Sequence, residues 1–260
     1  MEGNATPILE NLSNNIAQVK EIAENARKSL LLVGRQEKHI HLESSLSSLD
    51  IIATIVTRLL RNSTNKLDKD WLILSKGHAA PALYAILSQI GVIDENELTK
   101  INSVDSILQN HPDISIPGVD MSTGSLGQGI SYAVGIATWI KRRGGKGRVF
   151  VIMGDGEQDE GQVWEAITHA TMLKLDNIIA IIDVNGYQLD GRTEDVKLKS
   201  YIPFVWRIVG WRVLWCDGHD VASIMLAVEG ALESDRPVAI FAKTVKKVHV
   251  DNVEGIEAGA

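Results

Sequence analysis

Between residues 8 and 32, Leu9, Leu12, Ile16, Val19, Ala23, Ala26 and Leu30 recur at alternating intervals of three and four, which predicts an amphipathic helix. Ser47, with Asp50 three residues on, predicts the start of a second helix, in which Ile51, Ile52, Ile55, Val56 and Leu59 follow at helical spacing. Pro81 fits the first turn of a helix running to Ile90 and stopping at Gly91, and Asp94-Glu95-Asn96-Glu97 opens a short one. Four runs have another pattern. Arg148 to Met153, Ile178 to Val184, Val213 to Asp217 and Val238 to Thr244 are short and β-branched without alternation, as strands buried on both faces are. Helical patterns over 161–174 and 220–233, the second opened by the N-cap candidate Asp220, separate them. Gly and Ala are frequent from Gly127 to Lys141, which predicts a helix able to pack closely beneath a loop.

Strand alternating with helix predicts an α/β fold, a largely parallel sheet with helices on both faces. The 260 residues contain no Pro-, Gly- or Ser-rich linker, and one domain over 1–260 is expected. A net charge of −7 argues against a nucleic-acid surface, which needs a basic stripe. The cluster Lys141-Arg142-Arg143-Gly144-Gly145-Lys146 reads as a solvated helix C-terminus. Cys216 is the only cysteine and lies in an apolar run, so it reads as a buried, inert thiol. With no signal-peptide pattern and no apolar run near the ~20 residues that span a bilayer, a cytoplasmic protein without a membrane partner is expected. Trp211 and Trp215 read as core, and His219, in Asp217-Gly218-His219-Asp220, as part of a tight turn before a helix.

The candidate chemistry lies at two strand ends. Gly154-Asp155-Gly156 follows the run that closes on Met153, and Asn185-Gly186 follows the run that closes on Val184. Glycines beside Asp155 let backbone approach phosphate oxygens, while a carboxylate and an amide oxygen are hard ligands for a divalent cation. A Gly-Asp-Gly tripeptide alone reads as a turn; a second oxygen donor at a matching strand end favours a ligand site.

This pair resembles the thiamine-diphosphate-binding motif, and the chain as a whole resembles the cofactor-binding, N-terminal half of a transketolase. Leu74-Ser75-Lys76-Gly77-His78-Ala79-Ala80-Pro81 resembles a segment whose histidine reaches the cofactor diphosphate. Thr123-Gly124-Ser125-Leu126-Gly127-Gln128-Gly129 resembles the loop that holds the aminopyrimidine and thiazolium through backbone groups. His111-Pro112 resembles the Gly-His-Pro histidine that faces the donor substrate. Asp155 to Gly161 resembles Gly-Asp-Gly-x-x-x-Glu-Gly, whose last glutamate, here Glu160, stands at an interface beside the pyrimidine. The family's Ser-Gly-His-Pro-Gly stands here as His39-Ile40-His41-Leu42-Glu43-Ser44, and alignment through Ser45-Leu46-Ser47 and Asp50 assigns His41.

The resemblance implies Mg²⁺ ligands at Asp155, Asn185 and the carbonyl of Tyr187. It implies thiamine diphosphate contacts at His78, Gly124, Ser125, Leu126, Asp155, Gly156, Glu160, Asn185 and Lys246, and catalytic roles for His41, His111 and Glu160. The carboxylate that meets the pyrimidine comes, in that family, from a neighbouring pyrimidine domain. None follows here, so a separately encoded pyrimidine-domain partner is expected, most simply in an α2β2 assembly, with sugar phosphates as substrates. Ala242-Lys243-Thr244-Val245-Lys246 fits the family, but Lys247 replaces a glycine and the expected Trp-His-Gly does not follow. Alternatives are one subunit of a 1-deoxyxylulose-phosphate synthase-like or 2-oxoacid decarboxylating enzyme, or a non-catalytic thiamine-diphosphate-binding protein.

Overall fold

Val19, Ala23, Ala26 and Leu30 form the buried face of the first helix, α1 (Ala5–Gln36), as their spacing requires. A computed structural model describes residues 5–37, 39–189 and 191–246; Lys247 lies outside them. The second helix, α2 (Leu42–Thr54), begins five residues before the predicted start at Ser47 and ends in a π turn over Ile55–Leu59. Ser47 and Ser48 lie inside it, buried; the Ser48 hydroxyl bonds back to the carbonyl of Ser44 at 3.0 Å, and the Ser47 hydroxyl lies 3.1 Å from that carbonyl and shares its proton with the closer Asp183 carboxylate. That back-bonding lets serines sit in a buried helix, and it defeats a cap reading based on residue type.

Strand β1 (Trp71–Leu74) has no counterpart among the predicted elements; four residues carry too little pattern to separate from a loop. Helix α3 (Ala80–Gln89) has Pro81 in its first turn, and Gly91 follows at φ +75°. Asp94 caps α4 (Glu95–Leu98) by accepting from the Asn96 amide. Next come α5 (Gln128–Arg142), β2 (Val149–Gly154), α6 (Gly161–Met172) and β3 (Ile178–Val184). A short hairpin, β4 (Tyr187–Gln188) and β5 (Gly191–Arg192), leads to α7 (Thr193–Val196) and α8 (Ile202–Ile208). The chain continues with β6 (Arg212–Asp217), α9 (Val221–Leu232) and β7 (Val238–Lys243). Asp220 caps α9 as predicted, accepting from the Ser223 amide at 3.1 Å.

Five strands form one parallel sheet in the order β1-β2-β3-β7-β6. Helices cover both faces. Leu30, Ile51, Ile86 and Val228 pack on one side, and Ile130, Ile167 and Trp206 on the other. Trp211 meets Trp206 edge to face at 4.7 Å and donates to the carbonyl of Ile167 at 2.9 Å, so it is core as expected. Trp215 is not: β6 is an edge strand, and this side chain is 48% exposed beside Phe241 and Lys243. Burial pushes the Cys216 thiol up to about 12, so it is inert.

The strands step one way from β1 to β3, and β6 then lies beyond β7 on the far side. The chain therefore steps the same way from β3 to β6 and then turns back to insert β7 beside β3. A crevice at the carboxyl ends of such neighbours is where open α/β sheets place ligands.

Candidate cofactor site at the sheet reversal

Gly154 pairs in register with Asp183, so the turns leaving β2 and β3 emerge side by side. Asp155 follows Gly154, and its two oxygens accept from the amides of Gly156 and Gly186, each at 2.8 Å. The second bond depends on the left-handed conformation of Gly186, φ +77°, which favours glycine. Burial, with the Asp183 charge nearby, pushes the Asp155 carboxyl up to about 6 against the pull of the two amides and Lys76. Asn185 accepts from the Tyr187 amide at 3.0 Å and donates to Asp183 at 3.3 Å, which holds its side chain in the turn.

Beneath these turns lies a network that the motifs do not single out. Asp183 accepts from Lys76 and from Ser47 at 2.7 Å, both buried, and from the half-buried Thr244. Glu157 plays a parallel part. Its carboxylate accepts from the Ser75 hydroxyl and from the amides of Gly127 and Gly154, at 2.8 and 3.0 Å. One buried carboxylate thus ties the loops after β1 and before α5 to the end of β2. No local pattern marks it in the sequence, because the partners of Glu157 at Ser75 and Gly127 come from segments that only the fold brings together.

The glycine loops touch. A Cβ on Gly77 would lie 3.0 Å from the Gly124 amide nitrogen, and one on Gly156 would lie 2.8 Å from the Gln188 Cβ. Gly127 is left-handed at φ +83°, and a Cβ there would meet Glu160 at 2.7 Å. Ser125 is exposed and Leu126 half-buried in the loop that this turn closes.

The histidines gather on one side. His41 and His78 meet edge to face with ring centroids 5.4 Å apart. A Cβ on Gly124 would lie 3.3 Å from the His111 ring. Burial, reinforced by Lys76, His41 and His111, drives His78 down to about 3, and burial, His111 and Lys246 lower His41. Both are therefore neutral imidazoles at neutral pH, each with one N–H donor and one acceptor nitrogen. His39, two residues before His41, is exposed, and its amide bonds to Glu37 at 2.9 Å. Lys246 stands 3.9 Å from Glu43, with its ammonium 5.5 Å from the Tyr187 ring centroid. Glu160 is exposed at the N-cap of α6.

Asp155, Asn185 and the Tyr187 carbonyl are hard oxygen donors on adjoining turns, a donor set suited to Mg²⁺. Among the described residues no cluster of three His, Cys, Asp or Glu could hold a metal. A cation here would therefore need ligand oxygens besides this chain's own, as a diphosphate provides. At the turns themselves a Cβ on Gly154 or Gly186 would meet no atom within 4 Å, so their backbone borders an open cradle that a phosphate can approach. Residues and group fit.

Residues 21–258 match the family described as transketolase, thiamine diphosphate binding domain. A 6-deoxy-6-sulfo-D-fructose transketolase subunit of Clostridium sp. (strain MSTE9) is 38% identical over 211 residues, 79% of this chain and 77% of that one. An apulose-4-phosphate transketolase subunit of Actinobacillus succinogenes is 35% identical over 233 residues, 88% of this chain and 84% of that one. The solved transketolase from Leishmania mexicana is similar with a TM-score of 0.78 at 26% identity, covering 87% of this chain and 36% of that one. For the transketolase of Campylobacter jejuni the TM-score is 0.74 at 29% identity, covering 86% and 38%. The chain thus spans well under half the length of the solved transketolases and most of the length of the two subunits.

Proposed function

We propose, from the premise that this chain belongs to the transketolase thiamine diphosphate binding domain family, that it is the cofactor-binding subunit of a split transketolase. The complex would move a two-carbon ketol unit from a ketose phosphate to an aldose phosphate. Bound thiamine diphosphate supplies the carbanion chemistry of cleaving and forming C–C bonds beside a carbonyl. The chain's own residues bind, orient and hold protons.

Asp155, Asn185 and the Tyr187 carbonyl would hold Mg²⁺ against the diphosphate. The Gly156 amide, His78 and Lys246 would meet phosphate oxygens, with Lys246 as the compact positive charge. His78 enters as a neutral N–H donor, because its burial disfavours the imidazolium. Gly124, Ser125 and Leu126 would meet the rings through backbone groups. His41 and His111 would contact the donor's carbonyl and hydroxyl groups. As a neutral imidazole, His41 can accept a proton from one oxygen and hydrogen-bond another.

One observation carries the reading: the parallel pairing of β1, β2, β3 and β7 brings His78, Asp155, Asn185 and Lys246, from four separate segments, to one set of strand ends. Two relatives named as transketolase subunits, of comparable length, support a separately encoded pyrimidine-domain partner, and the simplest assembly is α2β2. The test pairs the chain with such a partner. Calorimetry with thiamine diphosphate and Mg²⁺ reads binding, and xylulose 5-phosphate is compared with pyruvate as donor. Metal-dependent binding with a preference for the ketose phosphate is expected. A preference for pyruvate would point instead to a decarboxylating enzyme.

A further inference from the structure

Away from the cradle, the side chain of His219 does something its turn does not require. The turn is complete without it: the His219 amide donates to Asp217 at 2.9 Å, and Asp220 caps α9. The imidazole instead reaches two distant segments. Its Nδ1 lies 2.9 Å from Oδ2 of Asp50 in α2, and its Nε2 accepts from the Val245 amide at 3.1 Å. An acceptor at Nε2 fixes the tautomer, so Nδ1 carries the proton and donates to Asp50. Asp50 is itself held by Arg27 of α1, whose Nη2 donates to both carboxylate oxygens at 2.9 and 3.0 Å. Residues 27, 50, 219 and 245 therefore form one chain of contacts drawn from four segments.

Its end point matters. Among the described residues, 244–246 make three hydrogen bonds to the fold after leaving β7: Thr244 N to the Val184 carbonyl at 3.1 Å, the Thr244 hydroxyl to Asp183, and Val245 N to His219. The first two hold the start of the segment. The third is the hydrogen bond nearest Lys246, whose own side chain makes a long contact with Glu43 at 3.9 Å and lies over the Tyr187 ring at 5.5 Å from its centroid. We infer that His219, oriented by Asp50, is a positioning residue that fixes Val245 and so aims Lys246 at the phosphate end of the cradle. This rests on the proposed role of Lys246 toward the diphosphate. His219 touches no part of that site itself.

Calorimetry of thiamine diphosphate with Mg²⁺, on the complex with its partner, tests it through two variants. His219→Asn keeps a donor near Asp50 and removes the acceptor for Val245; His219→Gln places an amide oxygen near the former Nε2. The Asn variant is expected to weaken cofactor affinity about tenfold, the loss of roughly one hydrogen bond's worth of positioning, and the Gln variant to restore most of it. In a Lys246→Ala background His219→Asn should add less than about twofold, because both act through one side chain. Equal losses in both backgrounds, or a silent His219→Asn beside a damaging Lys246→Ala, overturn the inference and leave the cofactor site standing. A silent Lys246→Ala overturns both. Amide exchange needs no substitution: Val245 is expected to be as protected as Thr244 in the cofactor-free wild type, and fast exchange at Val245 alone overturns the tether.

Discussion

Lys76 and Asp183 form an ion pair sealed from solvent, their side chains 1% and 0% exposed, at the end of the strand that carries Asn185 into the cradle. Burial disfavours the Asp183 charge, yet Lys76 and the hydroxyls of Ser47 and Thr244 outweigh it and hold the carboxyl below its usual range. A carboxylate depressed in this way contributes stability that is present above its unfolded value and lost as pH falls through the folded one.

Lys76→Met should therefore leave a buried, unpaired carboxylate and cost about 3–5 kcal/mol, while Lys76→Met with Asp183→Leu should cost much less. Urea denaturation of the wild type and both variants checks this. A single variant within about 1 kcal/mol of wild type would show that solvent reaches the pair.

The fold is legible in the sequence wherever pattern length suffices. Four strands and the helices around Val19, Pro81, Val163 and Val221 follow from unbroken apolar runs and three-four spacing. Strand β1, only Trp71–Leu74, is too short to register, and α2 begins earlier than its pattern suggests because Ser47 has the residue type of a cap. At the site, Asp155, Asn185 and the histidines stand out because their residue types name their chemistry. Lys76, Asp183, Glu157 and the His219 relay do not, because each works through a partner from 23 to 169 residues away, or through a buried backbone amide. Pairing of that kind is created by the fold and leaves no local trace.

Asp155 should make Mg²⁺-dependent cofactor binding pH-dependent. Its carboxyl is raised to about 6, so a proton competes with the cation on the acid side. Without metal the raised value favours the protonated chain: that stability is present below the ordinary Asp value and lost as pH rises through about 6. The gain in melting temperature from thiamine diphosphate and Mg²⁺ should thus be larger at about pH 7.5 than at about pH 5. In Asp155→Ala, which should bind the cofactor at least about a hundredfold more weakly, that pH dependence should be gone. Unchanged affinity in the variant would remove Asp155 from the metal site.

His41→Ala should lower turnover with a ketose donor about a hundredfold or more while leaving cofactor affinity within about twofold, since its proposed contact is to substrate. His111→Ala should behave alike. His39 is the control, because it is exposed and His41 is the residue against His78. Steady-state kinetics and calorimetry on the three variants decide it. A damaging His39→Ala beside a silent His41→Ala would mean that the assignment across residues 39–44 is two residues out of register.

The chain purified without a partner should show no transketolase turnover, even with saturating thiamine diphosphate and Mg²⁺. The resemblance implies that activation needs a carboxylate hydrogen-bonded to the pyrimidine N1′. The carboxylates that surround the cradle are already committed: Asp155 to two amides, Asp183 to Lys76 and two hydroxyls, and Glu157 to Ser75, Gly127 and Gly154. Moving any of them would break the turns that form the site, at a cost of ~1–3 kcal/mol for each buried donor left unpaired. Glu160 is different, exposed at the N-cap of α6 against Gly127, where a second polypeptide can reach it. Adding a pyrimidine-domain partner should restore activity, and Glu160→Gln should raise the partner concentration needed for half-maximal activity, by about tenfold if one charge-assisted hydrogen bond is lost. Titrating partner into wild type and variant measures this directly. Robust turnover by the chain alone would refute the split-enzyme reading, because one of these committed carboxylates would then have to leave its amides and reach the pyrimidine.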